Sequence, residues 1–103
     1  MKIKEGVLPQ NKELNTVEIE LHNTKLILIE GYNAFAMCGA LDVSIYNTER
    51  MLPRKVVCMK SVGVKTIDEL YNSQIYESSI AAQELGITKG MYVKDAFKIL
   101  STQ

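Results

Sequence analysis

The stretch that decides the fold is Thr16–Leu21, TVEIEL, in which polar and apolar side chains alternate without a break. Successive side chains of an extended chain point to opposite sides, so Val17, Ile19 and Leu21 share one side. The residues between them share the other side. This alternation predicts a β-strand with one face toward the interior and one face toward water.

The residues after this strand predict an antiparallel meander. A polar turn at His22–Thr24 separates it from Leu26–Ile29, LILI, whose unbroken apolar run is typical of a more buried strand. A second turn at Gly31–Asn33 leads to a third strand, Phe35–Cys38. The short turns favour strands that pair with their neighbours along the chain.

The amino-terminal segment carries the weakest pattern. Residues 1–15 contain turn-forming Gly6 and Pro9, and we expect only a short edge strand around Ile3. A small chain with several edge strands has to protect them, because unpaired strand edges pair readily with other chains. The sequence therefore predicts a homo-oligomer, a dimer or a tetramer, that is built on the amino-terminal strands.

The second half of the chain alternates helices with strands. Side chains that accept hydrogen bonds from free amides mark the helix starts, and Gly86 is a left-handed helix stop. The predicted elements are a helix Val43–Arg50 capped by Asp42, a strand Lys55–Met59, a helix opened by the capping box Thr66–Glu69, a short strand Gln74–Glu77, a helix capped by Ser78 or Ser79, and a last helix from about Tyr92 to Leu100. The order predicts an α+β fold: a mainly antiparallel sheet of about five strands with three short helices on one face.

Composition limits the class of protein. The 103 residues, 47% of them hydrophobic, fit a single domain spanning residues 1–103, with a β-rich oligomerisation region in 1–40 and a mixed remainder in 41–103. Twelve basic residues balance twelve acidic ones, and the aromatic residues do not interleave with basic ones. DNA or RNA binding is therefore disfavoured outside a local patch.

The chain also lacks the signals of membrane and metalloproteins. No apolar run reaches the roughly 20 residues that cross a bilayer, so we expect no membrane partner and a cytoplasmic location. Cys38 and Cys58 are then expected as reduced thiols. The single His22 and these two cysteines lack metal-ligand spacing, so we expect neither a metal site nor a cofactor.

Three short motifs occur in a distinctive order and spacing. The motifs are MCGALD at Met37–Asp42, VGVKTIDEL at Val62–Leu70, and AAQELGI at Ala81–Ile87 followed by Gly90-Met91. With these motifs the chain resembles the YunC-like family of bacterial and archaeal proteins, and the resemblance covers about Thr16 to Leu100.

The resemblance implies a small α+β domain of unknown function whose amino-terminal β region forms a tetramer. It implies no established activity and transfers no catalytic residue. Two positions depart from the family pattern. Ala34 stands where relatives usually have Gly, and Tyr92-Val93 stand where relatives usually have a small Ser-Gly pair at the start of the last helix. The second change removes a good cap and argues against an anion cradle there.

Cys38, Gly39 and Asp42 form one candidate ligand-binding corner. Amides of a following helix can lower the pKa of a thiol, which would make Cys38 a nucleophile. The alternative is a small buried packing residue, and His22, the single histidine, is not placed beside it by the sequence. Asp42 is a candidate general base or metal ligand, although the sequence favours the cap of the next helix.

Lys60 and Gly63 form the second candidate. A lysine beside the free amides of a glycine bend can hold a carboxylate or phosphate, whereas the plain interpretation is a solvated lysine at a strand end. Both segments end strands, so we expect their tips to meet on one rim. The sequence favours a homo-oligomeric binding or regulatory module with a small-molecule ligand at this rim. An enzyme using Cys38 or Asp42, or a purely structural subunit, remains the alternative.

Overall fold

The protein is built on one six-stranded sheet. The structure is a computed structural model and describes residues 1–39 and 42–103, so Ala40 and Leu41 of the MCGALD motif lie outside the described residues. The strands are β1 (Lys2–Leu8), β2 (Asn11–Leu21), β3 (Thr24–Gly31), β4 (Ala34–Cys38), β5 (Val57–Ser61) and β6 (Glu77–Ser78). The α-helices are α1 (Ile67–Tyr71), α2 (Ile80–Glu84) and α3 (Val93–Ser101), and two 3-10 helices span Val43–Asn47 and Leu52–Arg54.

The strand order in the sheet follows the chain from β1 to β6. Strands β4 and β5 run parallel, with Cys38 opposite Ser61, and the other neighbouring strands run antiparallel. The α+β class and the mainly antiparallel sheet are confirmed. The sheet has one strand more than expected, because the amino-terminal segment pairs over most of its length.

The β1–β2 hairpin is the main difference from the sequence-based expectation. Residues Lys2 to Val7 pair continuously with β2, and the register shifts between Val7 and Leu8. The apolar residues of β1 are too few to produce a clear period, whereas Lys2 lies opposite Glu20 and Lys4 opposite Glu18. Opposite charges directly across a strand pair stabilise the pairing, and a hydrophobic pattern does not reveal them.

The main core lies between the sheet and the three α-helices. Ile29 of β3 and Ala36 of β4 point into it, and Leu70, Ala82 and Phe97 enter from α1, α2 and α3. All five side chains are buried. The prediction that the helices pack on one face of the sheet is therefore confirmed. In the part of the chain that the structure describes, no helix combines the length and apolar character that a membrane crossing requires.

A smaller cluster lies on the opposite side of the sheet. Val43 of the first 3-10 helix packs against Met37 and Cys58, which point away from the α-helices. The rings of Phe35 and Tyr46 meet edge to face, with their centroids 5.8 Å apart. The connection from β4 to β5 thus covers the far side of these two strands.

The helix starts follow the capping residues that the sequence contains. Asp42 accepts from Ser44 N–H, and Thr66 accepts from Glu69 N–H. Glu69 completes its cap on Lys65 N–H rather than on Thr66. Ser79 accepts from the amide of residue 82 at the start of α2. Three predicted helix starts are thereby confirmed, although the first helix is of the 3-10 type and ends at residue 47.

Phe97 provides a test of the main core. Its side chain is 1% exposed, so Phe97→Ala removes a ring that the neighbouring helices and strands cannot replace. We expect the free energy of unfolding to fall by about 3–5 kcal/mol. Chemical denaturation measures the change, and Lys98→Ala at the next, exposed position should leave stability nearly unchanged. Equal effects of the two substitutions would contradict the described core.

Candidate functional site

The two predicted site segments meet at one rim of the sheet. Because β4 and β5 run parallel, their carboxyl ends lie side by side, and Cys38 pairs with Ser61. A Cβ atom added to Gly39 would lie 3.1 Å from Val62 Cγ1, so the chain after β4 touches the bend after β5. Gly63 in that bend adopts φ +76°, a conformation that favours glycine. The expected juxtaposition is present.

Cys38 lies on the helix side of this rim. Its side chain is 3% exposed and belongs to the main core. The thiol accepts a hydrogen bond from Ile27 N–H at 3.4 Å and donates to Lys25 O at 3.9 Å. His22 lies in the turn between β2 and β3 and makes no hydrogen bond to it within the described residues. These contacts support the packing interpretation of Cys38.

Asp42 lies on the other side, exposed at the start of the first 3-10 helix. Its Oδ1 accepts from Ser44 Oγ at 2.7 Å and from Ser44 N–H at 2.9 Å. These two hydrogen bonds lower the pKa of the Asp42 carboxyl, and the positive charge of Lys60 lowers it further. A carboxylate held in this way stays ionised, which suits an electrostatic contact better than proton abstraction.

Lys60 interacts with both Asp42 and the Tyr76 ring. The residue is half-buried on β5, and its Nζ lies 6.0 Å from the centroid of the Tyr76 ring. Its charge acts on Asp42 and its ammonium faces an exposed aromatic ring. The five predicted residues therefore share the rim but divide between the two faces of the sheet.

A cleft beside Asp42 contains residues that the sequence did not single out. Its volume is about 470 Å³, and it lies between the sheet and the first 3-10 helix. The walls are apolar, and two carboxylates, Glu30 and Asp42, belong to the lining. The other lining residues are Val17, Leu28, Phe35, Met37, Ile45 and Tyr46. In the structure the residues of β3 and β4 that face the main core alternate with those that line the cleft, but the unbroken apolar run Leu26–Ile29 gave no sign of this surface.

Cys58 is the second buried thiol. It packs with Met37 and Val43 behind the cleft. Burial raises the pKa of the Cys58 thiol to about 11, although a hydrogen bond with Ser79 acts in the opposite direction. At neutral pH Cys58 is therefore a protonated packing residue.

The fold and the rim define the class of protein: an α+β fold with α-helices on one face of its sheet and a cleft on the other. The chain belongs to the DUF1805 family, described as a domain of unknown function, which matches residues 37–100. It is 32% identical to the uncharacterized protein YunC of Bacillus subtilis (strain 168) over 90 residues, 87% of this chain and 88% of YunC.

A solved structure extends the similarity to nearly the whole fold. The crystal structure of a protein of unknown function, TA1206 from Thermoplasma acidophilum, matches with a TM-score of 0.76 and 25% identity. The match covers 96% of this chain and 91% of that chain. Neither the family description nor the names of these relatives state an activity, so the function has to be argued from the site.

Thiol labelling tests the assignment of both cysteines to the interior. In native protein at pH 7.5 we expect Cys38 and Cys58 to react with iodoacetamide far more slowly than free cysteine, because both are buried. Since the Cys58 pKa is about 11, its labelling should still accelerate above pH 9. Peptide mass spectrometry resolves the two sites, with unfolded protein as the fully labelled control. Faster labelling of Cys38 than of free cysteine would instead identify a reactive nucleophile.

Proposed function

We propose that this protein is a cytoplasmic homo-oligomeric binding module. Its copies associate through the β-rich region of residues 1–40, and each subunit binds a small organic ligand in the cleft beside Asp42. The observation that carries the proposal is an apolar sheet face that the three α-helices leave uncovered. We call this surface, the side of β1, β2 and β3 opposite the helices, the open face.

The register of the strands defines the open face. Ile3 lies opposite Ile19, and Val17 lies opposite Leu28, so these side chains share one side of the sheet. At the outer strand the exposure is large: Ile3 is 55% and Val7 is 52% exposed. Glu5 lies between Ile3 and Val7 on this side of β1, so one carboxylate separates the two exposed apolar side chains. Exposed apolar side chains along an edge strand support burial against a second copy.

The long edge strand β1 also favours association with a second copy of the chain. Strand β1 is seven residues long and forms one edge, whereas β6 at the other edge has two residues. A long edge strand presents a row of unpaired amides and carbonyls. A second copy would cover this edge and the neighbouring open face together. Because Val17 belongs both to the open face and to the cleft lining, the cleft would then lie near the subunit contact.

The lining of the cleft indicates the chemistry of the ligand. Phe35, Ile45 and Tyr46 provide apolar walls, and Glu30 and Asp42 provide negative charge. Both hydrogen bonds to Asp42 fall on Oδ1, and Oδ2 accepts none from the described residues. An ionised, partly unpaired carboxylate beside aromatic walls fits an organic cation with an apolar body.

The geometry does not favour the enzyme hypothesis. A cysteine nucleophile needs a base and an orienting group, and Cys38 is instead bonded to backbone groups of β3. Asp42 is engaged in capping the 3-10 helix. Within residues 1–39 and 42–103 no three His, Cys, Asp or Glu side chains are grouped closely enough to hold a metal ion.

The oligomer prediction is tested by mass. We expect light scattering at micromolar concentration to give a multiple of 11.6 kDa, the mass of one chain. Ile3→Lys places a charge on the open face and should shift the protein toward monomer. Thr102→Lys at the exposed carboxyl end of α3 adds the same charge outside the open face and should leave the mass unchanged. A wild-type mass near 11.6 kDa would refute the assembly.

The ligand prediction is tested by thermal shift with a panel of primary and quaternary amines that carry aliphatic or aromatic groups. We expect at least one amine to raise the melting temperature of the wild type, because binding to the folded state alone stabilises it. Asp42→Asn and Glu30→Gln should abolish the shift, and Glu49→Gln, an exposed acidic residue outside the cleft, should retain it. No shift with any amine would favour a purely structural subunit.

A further inference from the structure

A second surface gathers the exposed aromatic residues that the cleft does not use. The chain before β6 and the chain before α3 lie side by side: Ile75 N–H donates to Met91 O at 2.8 Å, and Gly90 N–H donates to Ile75 O at 2.8 Å. Gln74 forms an antiparallel bridge with Tyr92. This short ribbon brings Tyr76 and Tyr92 together although they are far apart in the sequence.

The two tyrosines point to the same side of the ribbon. Ile75 is buried in the main core and Met91 packs against that core, so the residues that flank them face outward. Tyr76 is 49% and Tyr92 is 44% exposed. The bridge and the two hydrogen bonds place Tyr76 across from Gly90, two residues before Tyr92, so both side chains emerge on one side of the ribbon.

Three lysines surround these rings. Lys89 Nζ lies 4.9 Å and Lys60 Nζ 6.0 Å from the centroid of Tyr76, and Lys94 Nζ lies 5.7 Å from that of Tyr92. Lys60 comes from β5, Lys89 from the loop before α3, and Lys94 from α3. These three lysines come together only when the chain folds. We call Lys60, Tyr76, Lys89, Tyr92 and Lys94 the tyrosine–lysine platform.

Within the described residues, none of the three lysines forms an ion pair shorter than 4.0 Å, although acidic residues lie nearby. Glu77 lies opposite Lys60 in the sheet, and Asp95 follows Lys94 in α3. Nevertheless, among the described residues the ion pair found within 4.0 Å joins Lys25 to Glu18, on another part of the sheet. The platform therefore offers three ammonium groups to a phosphate, and a base that stacks on a tyrosine ring takes the place of a lysine that now lies over that ring.

We propose that the tyrosine–lysine platform binds phosphorylated nucleosides, with the base stacked on tyrosine and the phosphate held by lysine. Aromatic rings stack with any base, and lysines beside them neutralise phosphate. A free nucleotide and a single-stranded nucleic acid offer this same chemistry. Over the whole chain the charges balance, so the proposal rests on local geometry and departs from the expectation drawn from composition.

The binding test uses the full chain and defined probes. Fluorescence anisotropy follows a labelled single-stranded oligonucleotide of about ten nucleotides, a length within the usual site size of such proteins. Titration calorimetry follows adenosine monophosphate, with adenosine and inorganic phosphate as controls. We expect the monophosphate or the oligonucleotide to bind more tightly than either control, because stacking and charge act together.

Variants assign the binding to the platform. Tyr76→Leu should weaken binding about tenfold, whereas Tyr76→Phe keeps the ring and should bind nearly as well as the wild type. Lys89→Gln should weaken binding severalfold and flatten its dependence on salt. Lys98→Gln removes an exposed lysine outside the platform and should bind like the wild type.

The outcomes separate the two ligand sources. Oligonucleotide binding without monophosphate binding identifies single-stranded nucleic acid, and comparable affinity for both identifies a nucleotide site. The proposal is overturned if the wild type binds neither probe, if phosphate alone binds as well as the monophosphate, or if Tyr76→Leu and Tyr92→Leu bind unchanged. Glu30→Gln changes the cleft and no residue of the platform, and Tyr76→Leu changes the platform and no residue of the cleft, so loss of the cleft proposal and loss of this one are distinguishable.

Discussion

The parallel pairing of β4 with β5 is the constraint on which the rest of the structure depends. Two parallel strands cannot be joined by a tight turn. Both begin at the same end of the sheet, so the chain has to travel back along the length of a strand before the second one starts. Here the return contains the two 3-10 helices and lies on the side opposite the α-helices. It buries Cys58, supplies Ile45 and Tyr46 to the cleft, and places the carboxyl ends of both strands at one rim.

The α-helices cover this sheet unevenly. They reach only the turn end of the amino-terminal hairpin, where Leu8 and Leu14 enter the main core and Gln10 donates a hydrogen bond to Asp68 of α1. Helix α1 packs on β3 and β4, and α2 packs on β5. Of the seven residues of β1, Leu8 alone is buried. A two-stranded ribbon with little burial is marginal by itself. The helices build the core of the carboxyl-terminal half, and residues 1–21 therefore depend on pairing with β3. This uneven helix cover is the physical reason for expecting a second copy on the open face.

The local signals in the sequence were sufficient for much of this fold. Alternation located β2, capping side chains located the starts of α1 and α2, and the apolar stripe Val93, Ala96, Phe97 and Leu100 of α3 is buried as expected. The length of β1 could not be predicted, because its pairing with β2 depends on cross-strand charges. The cleft escaped prediction for a related reason: Glu30 and Tyr46 come from separate elements and meet only through the β4–β5 crossover.

The distribution of charge explains how one negatively charged and one positively charged surface can coexist on a chain with no net charge. At physiological salt, exposed charges act over about 8 Å, so a ligand senses the nearest side chains and not the balance of the whole molecule. The cleft presents Glu30 and Asp42, while the tyrosine–lysine platform presents ammonium groups. Lys60 belongs to the platform and also lowers the Asp42 pKa, so it lies where the two fields meet.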